Sequence, residues 1–182
     1  MLVIFGGLPG VGKTTIARAL AVRLKAVYLR IDTIEQAIRS SDVLAADADM
    51  GPTGYIVAYH LAADNLRMGR SVVADSVNSM ALTRDAYKAV AEREAVNFLE
   101  VEVICSDKTE HRKRIETRES DIAGLALPTW RSIVAAPYES WGRPHLVLDT
   151  ASLTARESLE IIIGALSSPN LRTPEFGDPG AH

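Results

Sequence analysis

Cysteine, excess positive charge and long apolar runs are all scarce in this sequence. Cys105 is the only cysteine, so an internal disulfide is excluded, and we expect a reducing, cytoplasmic environment. No apolar stretch approaches the ~20 residues that a membrane-spanning helix requires, and the apolar start has no basic segment before it, so we expect no leader and no membrane partner. The net charge of −3 disfavours a sequence-independent nucleic-acid binder.

The remaining composition is typical of one soluble globular domain. The chain has 182 residues, of which 47% are hydrophobic, and this length is sufficient for a full core. Strand-like apolar segments alternate with segments of helical spacing as far as about residue 166. We therefore expect an α/β domain over residues 1–166. Residues 167–182 are polar and interrupted by proline and glycine, which predicts a flexible C-terminal tail.

The most specific motif lies near the start of the chain. It matches the phosphate-loop pattern G-x-x-x-x-G-K-[ST] in every specified position and is followed by a second threonine: Gly7, Leu8, Pro9, Gly10, Val11, Gly12, Lys13, Thr14, Thr15. A strand-like run precedes it, and Ile16, Leu20 and Leu24 follow at the spacing of one helix face. A strand, a glycine-rich turn and a helix are the context in which this motif binds nucleotides, and we prefer that interpretation to an ordinary connecting loop.

The motif predicts ATP and Mg²⁺ as cofactors, because each residue type suits one part of the task. Glycines allow successive N–H groups to converge on phosphate oxygens, and the following helix adds free N–H groups and the positive end of its dipole. We expect Lys13 to reach the β- and γ-phosphates and the Thr14 hydroxyl to ligate Mg²⁺.

Two further strands end at a carboxylate. Residues 26–31 alternate like a strand and end at Asp32, for which two interpretations stand side by side: a helix N-cap, with Glu35 completing a capping box, or a base that accepts a proton from a substrate hydroxyl. Residues 71–74 lead to Asp75, which we interpret as the group that orients Mg²⁺ or its water shell, with a turn residue as the alternative.

Helical spacing predicts which side chains face the core in the next two helices. In residues 54–68 the apolar stripe includes Ile56, Tyr59 and Leu66, and in residues 81–94 it includes Leu82 and Val90.

A basic segment follows the fourth predicted strand, Phe98–Ile104. We interpret it as the start of a lid over residues 108–141, in which Arg114 and Arg118 share a helix face and contact the nucleotide phosphates; a solvated helix face is the alternative. Thr150 follows the fifth predicted strand, and we expect its loop to lie near the nucleotide base.

With these residues placed, the chain resembles the small P-loop kinases related to nucleoside monophosphate kinases. The phosphate loop resembles that of adenylylsulfate kinases, and the Tyr28–Asp32 strand end resembles chloramphenicol phosphotransferase and zeta-toxin kinases, in which the matching Asp acts as base. The segments 130–141 and 146–150 resemble uncharacterised bacterial kinases often labelled AAA family ATPases. The resemblance implies a three-layer P-loop fold, with a five-stranded parallel sheet in the order 2-3-1-4-5 and a helical lid. It departs from adenylylsulfate and gluconate kinases in lacking their paired-Asp signature, since Asp32 stands alone.

These expectations combine into one hypothesis with two alternatives. The main hypothesis is an ATP- and Mg²⁺-dependent phosphotransferase that moves the γ-phosphoryl group to a hydroxyl of a small molecule, with Lys13, Asp32, Arg114 and Arg118 as the catalytic residues. The alternatives are a nucleotide-binding regulator or ATPase without a small-molecule acceptor, and a nucleoside monophosphate kinase. The identity of the acceptor and the oligomeric state stay open at this point.

Overall fold

The computed structural model describes residues 1–41 and 48–168 of the chain. Within these ranges five strands alternate with helices, in the order β1 (Leu2–Gly6), α1 (Lys13–Leu24), β2 (Val27–Arg30), α2 (Ile31–Arg39), α3 (Thr53–Arg67), β3 (Val72–Asp75), α4 (Ala81–Arg93), β4 (Phe98–Ile104), α5 (Lys108–Thr117), α6 (Trp130–Ala135), β5 (Leu146–Asp149) and α7 (Ala155–Leu166). The predicted tail, 167–182, lies almost entirely outside the described residues, so its flexibility stays a prediction.

The strands form one parallel sheet in the order β2-β3-β1-β4-β5. This result confirms the predicted fold class. The sheet order changes direction at β1, so the loop after β1 opens at the carboxyl edge of the sheet, which is where open α/β sheets bind their ligands. The phosphate-loop motif occupies this loop, between β1 and α1.

Alternating side chains of the central strand enter two separate cores. Leu2 and Ile4 of β1 pack on one face of the sheet against α3 and α4, whereas Val3 and Phe5 pack on the other face against α1 and α7. A strand that is buried on both faces reads as a continuous apolar run, and all five residues of β1 are buried. The rigid middle strand therefore fixes where the phosphate loop begins.

The predicted cap role of Asp32 is wrong. Helix α2 begins at Ile31, its N-cap is the extended Arg30, and no side chain caps it. Because β2 runs directly into α2, Asp32 is the second residue of the helix, where a carboxylate still interacts favourably with the positive end of the helix dipole.

The predicted inward positions of Ile56 and Leu82 are also wrong. Ile56 is 47% exposed and Leu82 is 70% exposed, whereas the buried positions of α4 include Arg84 and Tyr87. Arg84 is buried, and its guanidinium compensates for the lost water by donating three hydrogen bonds to backbone carbonyls, including that of Asn78 at 2.9 Å. The apolar spacing therefore placed Leu66 and Val90 correctly, since both are 4% exposed, and misplaced Ile56 and Leu82.

The region predicted as a lid, 108–141, contains α5 and α6 with an irregular segment between them. His111 of α5 and Trp130 of α6 meet edge to face, with ring centroids 5.1 Å apart. Farther along, the ring of Trp141 packs against Gly6 and against the guanidinium of Arg84, 4.8 Å from the ring centroid. The lid boundaries stay a prediction.

No helix among the described residues has the length and hydropathy to cross a membrane.

Candidate active site

Three glycines with positive φ shape the loop between β1 and α1. The φ angles of Gly7, Gly10 and Gly12 are +130°, +82° and +97°, a region that residues with a Cβ rarely adopt. A Cβ on Gly7 would lie 2.0 Å from the carbonyl oxygen of Val103, and one on Gly10 would lie 2.3 Å from Cδ1 of Ile115. The loop therefore requires glycine both for its curvature and for its close approach to β4 and α5.

Side-chain donors form hydrogen bonds with three carbonyl groups of this loop. Lys13 Nζ donates to the Leu8 carbonyl, His111 Nε2 to the Pro9 carbonyl and Thr150 Oγ1 to the Val11 carbonyl, each at 2.8 Å. Among the described residues, the N–H groups of Gly10 and Gly12 donate to no other group. The loop thus keeps backbone donors free, as the first turn of any helix also does. A phosphate group is the natural acceptor for such a set.

Lys13 is the buried cation of the site. It is only 7% exposed, although it carries an ammonium group. Burial lowers its pKa from 10.5 to about 8, while the carboxylates of Asp75 and Asp32 raise it and the guanidinium groups of Arg118 and Arg30 lower it. An anion bound next to Lys13 would favour the charged form, so the site is electrostatically incomplete without one.

The two predicted carboxylates occupy different environments beside Lys13. Asp32 is half exposed and lies 3.5 Å from Nη2 of Arg30. Asp75 is 3% exposed and accepts a 2.6 Å hydrogen bond from the Tyr28 hydroxyl. Burial and the negative charge of Asp75 raise the pKa of Tyr28, so this hydroxyl keeps its proton and remains a donor. Asp32 is accessible to a substrate, and Asp75 is held rigidly.

Of the two predicted lid arginines, one is held by hydrogen bonds and the other has an N–H group without a partner in the described part of the chain. Arg114 is tied down, since it donates to Glu110 Oε1 at 2.9 Å and to the hydroxyl and carbonyl oxygens of Thr150 at 2.9 and 3.0 Å. The Nε of Arg118, in contrast, is buried without a hydrogen-bond partner, and burial lowers the pKa of this guanidinium. Arg118 therefore lines the cavity with a hydrogen-bond donor that has no partner among the described residues.

One cavity of about 960 Å³ joins these groups. The predicted site residues that line it are Pro9, Gly10, Gly12, Lys13, Thr14, Thr15, Asp32, Asp75, Arg114 and Arg118. Four predicted residues do not line the cavity, namely Gly7, Leu8, Val11 and Thr150. Val11 belongs to the buried core and Leu8 packs against that core, while the Gly7 N–H donates to the Val77 carbonyl. Thr150 connects the phosphate loop to Arg114 through hydrogen bonds. The roles of all these residues as binding groups stay predictions.

Sequence reasoning missed five charged residues of this cavity, namely Arg18, Arg23, Arg30, Glu119 and Asp121. Arg18 follows Thr14 by four residues and so shares its helix face, a spacing that could have marked it. Arg30 stands at a strand end beside Asp32 but carried no motif. Asp121 gave no sequence signal, because only the fold brings the irregular segment after α5 over α1.

The donor set fits a magnesium ion that is bound mainly through substrate. The described residues contain no group of three or more His, Cys, Asp or Glu side chains that could hold a metal. Mg²⁺ commonly keeps several waters and uses one or two protein groups together with phosphate oxygens. The Thr14 hydroxyl and the Asp75 carboxylate, both lining the cavity, are sufficient for that mode of binding.

Known proteins resemble this chain in sequence. A family model described as an AAA domain matches residues 2–129. A curated Pseudomonas aeruginosa protein named "Probable adenylyl-sulfate kinase" is 30% identical over 179 residues, which cover 94% of this chain and 79% of that protein.

Solved structures share the fold at lower identity. The Mycobacterium tuberculosis APS kinase in complex with AMPPNP and APS has a TM-score of 0.68 at 20% identity, covering 92% of this chain and 97% of that one. A gluconokinase from Sinorhizobium meliloti 1021 has a TM-score of 0.63 at 16% identity, covering 90% of each chain.

Proposed function

The chain belongs to the AAA domain family of P-loop kinases, and from this premise we propose that it transfers the γ-phosphoryl group of ATP, with Mg²⁺, to a hydroxyl of a small molecule. The observation that carries the proposal is the grouping of Asp32, Asp75 and Arg118 around the buried Lys13 in one cavity. A phosphate loop by itself needs no such set of charges.

In this proposal each residue has one task in positioning or in charge stabilisation. The loop amides and Lys13 bind the β- and γ-phosphates, and Thr14 and Asp75 hold Mg²⁺, which neutralises charge on the phosphates when bound. Asp32 orients the acceptor hydroxyl and takes up its proton, since it is the accessible carboxylate of the pair. Arg118 turns its free Nε–H toward the transferring group, while Arg114 keeps the start of the lid fixed to the Thr150 loop.

The size of the cavity supports an acceptor over the regulator alternative. Sites for one small molecule usually measure roughly 300–1,000 Å³, and this cavity of about 960 Å³ lies at the upper end of that range and extends from the phosphate loop to Asp32, Arg30 and Asp121. The P. aeruginosa relative, named as an adenylyl-sulfate kinase, supports the same interpretation, as do the APS kinase and the gluconokinase that share the fold.

The proposal is tested by screening alcohols, sugars, nucleosides and amino alcohols in a coupled assay of ADP release, with the Asp32→Asn variant as the blank. We expect one acceptor to raise ADP release in the unchanged protein, and the substitution to lower transfer about 10²–10³-fold while ATP affinity changes only a few-fold. Asp64→Asn is the matched control, because Asp64 pairs with Arg67 on the exposed surface of α3.

Two outcomes would contradict the proposal. If Mg-ATP does not bind to the purified protein, the nucleotide site is wrong. If Asp32→Asn retains full transfer to the acceptor, the assignment of the base is wrong, although the phosphotransferase itself would stand.

A further inference from the structure

A carboxylate from the irregular segment after α5 bridges two arginines of the cavity. Asp121 Oδ2 lies 2.5 Å from Nη2 of Arg18, and its Oδ1 lies 2.7 Å from Nη1 of Arg30. The two guanidinium groups lower the pKa of Asp121 to about 2, so the bridge is ionic across the physiological pH range.

The two arginines of this bridge differ in burial: Arg30 is held within the fold, whereas the Arg18 side chain is 52% exposed, about as exposed as that of Asp121. The Arg30 side chain is only 12% exposed and its Nε is buried without a partner, while the Asp121 side chain is 49% exposed. Where the chain is described, Asp121 makes the only hydrogen bonds between residues 119–128 and any other element. Arg30, which is mostly enclosed and keeps an Nε–H unpartnered within the described ranges, thus donates to one carboxylate on a loosely attached segment.

The excess of positive charge in the cavity also favours an anionic ligand. Six cationic and four carboxylate side chains line it, and Asp121 is one of the four. Arg30 also lies beside Asp32, at 3.5 Å, on the nitrogen that does not contact Asp121. An anion in the position of the Asp121 carboxylate would therefore lie one guanidinium group away from the proposed base.

We propose that Arg18 and Arg30 form a subsite for an anionic group of the acceptor, and that Asp121 occupies this subsite as an internal substitute until the acceptor displaces it. The inference rests on the proposed phosphotransferase function and narrows it to acceptors that carry a carboxylate, sulfate or phosphate group besides the reacting hydroxyl. Planar, bidentate guanidinium groups suit all three anions. Displacement of Asp121 would also release the segment 119–128, so acceptor binding and movement of this segment are coupled.

The test is calorimetric titration of an anion onto the protein saturated with Mg-AMPPNP, so that the phosphate loop is already filled. Sulfate and acetate are the probes, in separate titrations, for tetrahedral and carboxylate groups. We expect Asp121→Asn to bind at least one of them about tenfold more tightly than the unchanged protein, because the internal competitor is gone. Asp64→Asn removes an equivalent ion-paired carboxylate outside the cavity and should leave anion binding unchanged.

A second substitution distinguishes the subsite from a general charge effect. Adding Arg30→Gln, or Arg18→Gln, to Asp121→Asn should abolish the gain, and thermal melts show whether each variant is folded. If Asp121→Asn binds both probes no more tightly than the unchanged protein, the subsite is refuted while the phosphotransferase proposal stands. If AMPPNP itself does not bind, the failure belongs to the proposed function and is recorded before any anion is added.

Discussion

Removal of the Lys13 ammonium group should stabilise the ligand-free protein. Its pKa, lowered by burial from 10.5 to about 8, corresponds to about 3 kcal/mol of free energy against the charged form in the folded state. Lys13→Met keeps the length and packing of the side chain but removes the charge. The lost hydrogen bond to the Leu8 carbonyl costs about 1 kcal/mol. We therefore expect a net gain of about 2 kcal/mol in the free energy of unfolding, or about 4–8 °C in Tm for a domain of this size.

The pH dependence of this gain identifies its cause. A lysine whose folded pKa is lowered binds fewer protons in the folded state than in the unfolded state between pH 8 and 10.5, so the stability of the unchanged protein rises with pH in that window. The methionine variant lacks this titration. The difference in stability between the two proteins should thus be largest at pH 7 and shrink as the pH rises from 8 to 10.5.

Urea denaturation at several pH values, with and without Mg-ATP, measures both effects. Mg-ATP should stabilise the unchanged protein and leave Lys13→Met unaffected, since a ligand stabilises only the state that binds it. Lys88→Met is the control, because Lys88 is 34% exposed and ion-paired with Glu92 on α4. A variant that is less stable at pH 7 than the unchanged protein, or a gain that does not vary with pH, would refute the argument.

Two further substitutions test the second carboxylate and the loop. Tyr28→Phe removes the hydroxyl that donates to the buried Asp75, so the Mg²⁺ concentration for half-maximal activity should rise several-fold; Tyr138→Phe, which loses a hydroxyl–carboxylate bond outside the cavity, should leave it unchanged. Gly10→Ala places a Cβ on a residue whose φ is +82°. It should lower the free energy of unfolding by about 1–2 kcal/mol, measured by thermal melting, and should weaken ATP binding at least tenfold, measured by calorimetry. Gly142→Ala, which has open space around it, is its control, and equal effects at both glycines would contradict the strain argument.

The elements of the fold could be predicted because their signals are local. The strands predicted at 26–31, 71–74 and 98–104 are present as β2, β3 and β4, and the helices predicted at 54–68 and 81–94 are present as α3 and α4. A local signal also starts α7, where the capping box of Thr154 with Glu157 lies within four residues. The predictions that failed are the cap role of Asp32 and the inward positions of Ile56 and Leu82. Leu82 is exposed and Arg84 is buried because backbone carbonyls far away in the sequence satisfy the arginine, and no local pattern reports them.

The phosphate loop and its place between a strand and a helix could be predicted from the sequence alone, because eight consecutive residues carry both the curvature and the chemistry. No local pattern reports what surrounds that loop. Arg18 and Arg30 meet Asp121 across 103 and 91 residues of sequence, and this encounter depends on how the helices pack onto the sheet. Such pairings arise from long-range packing, so the charge balance around Arg18 and Arg30 depends on the tertiary structure.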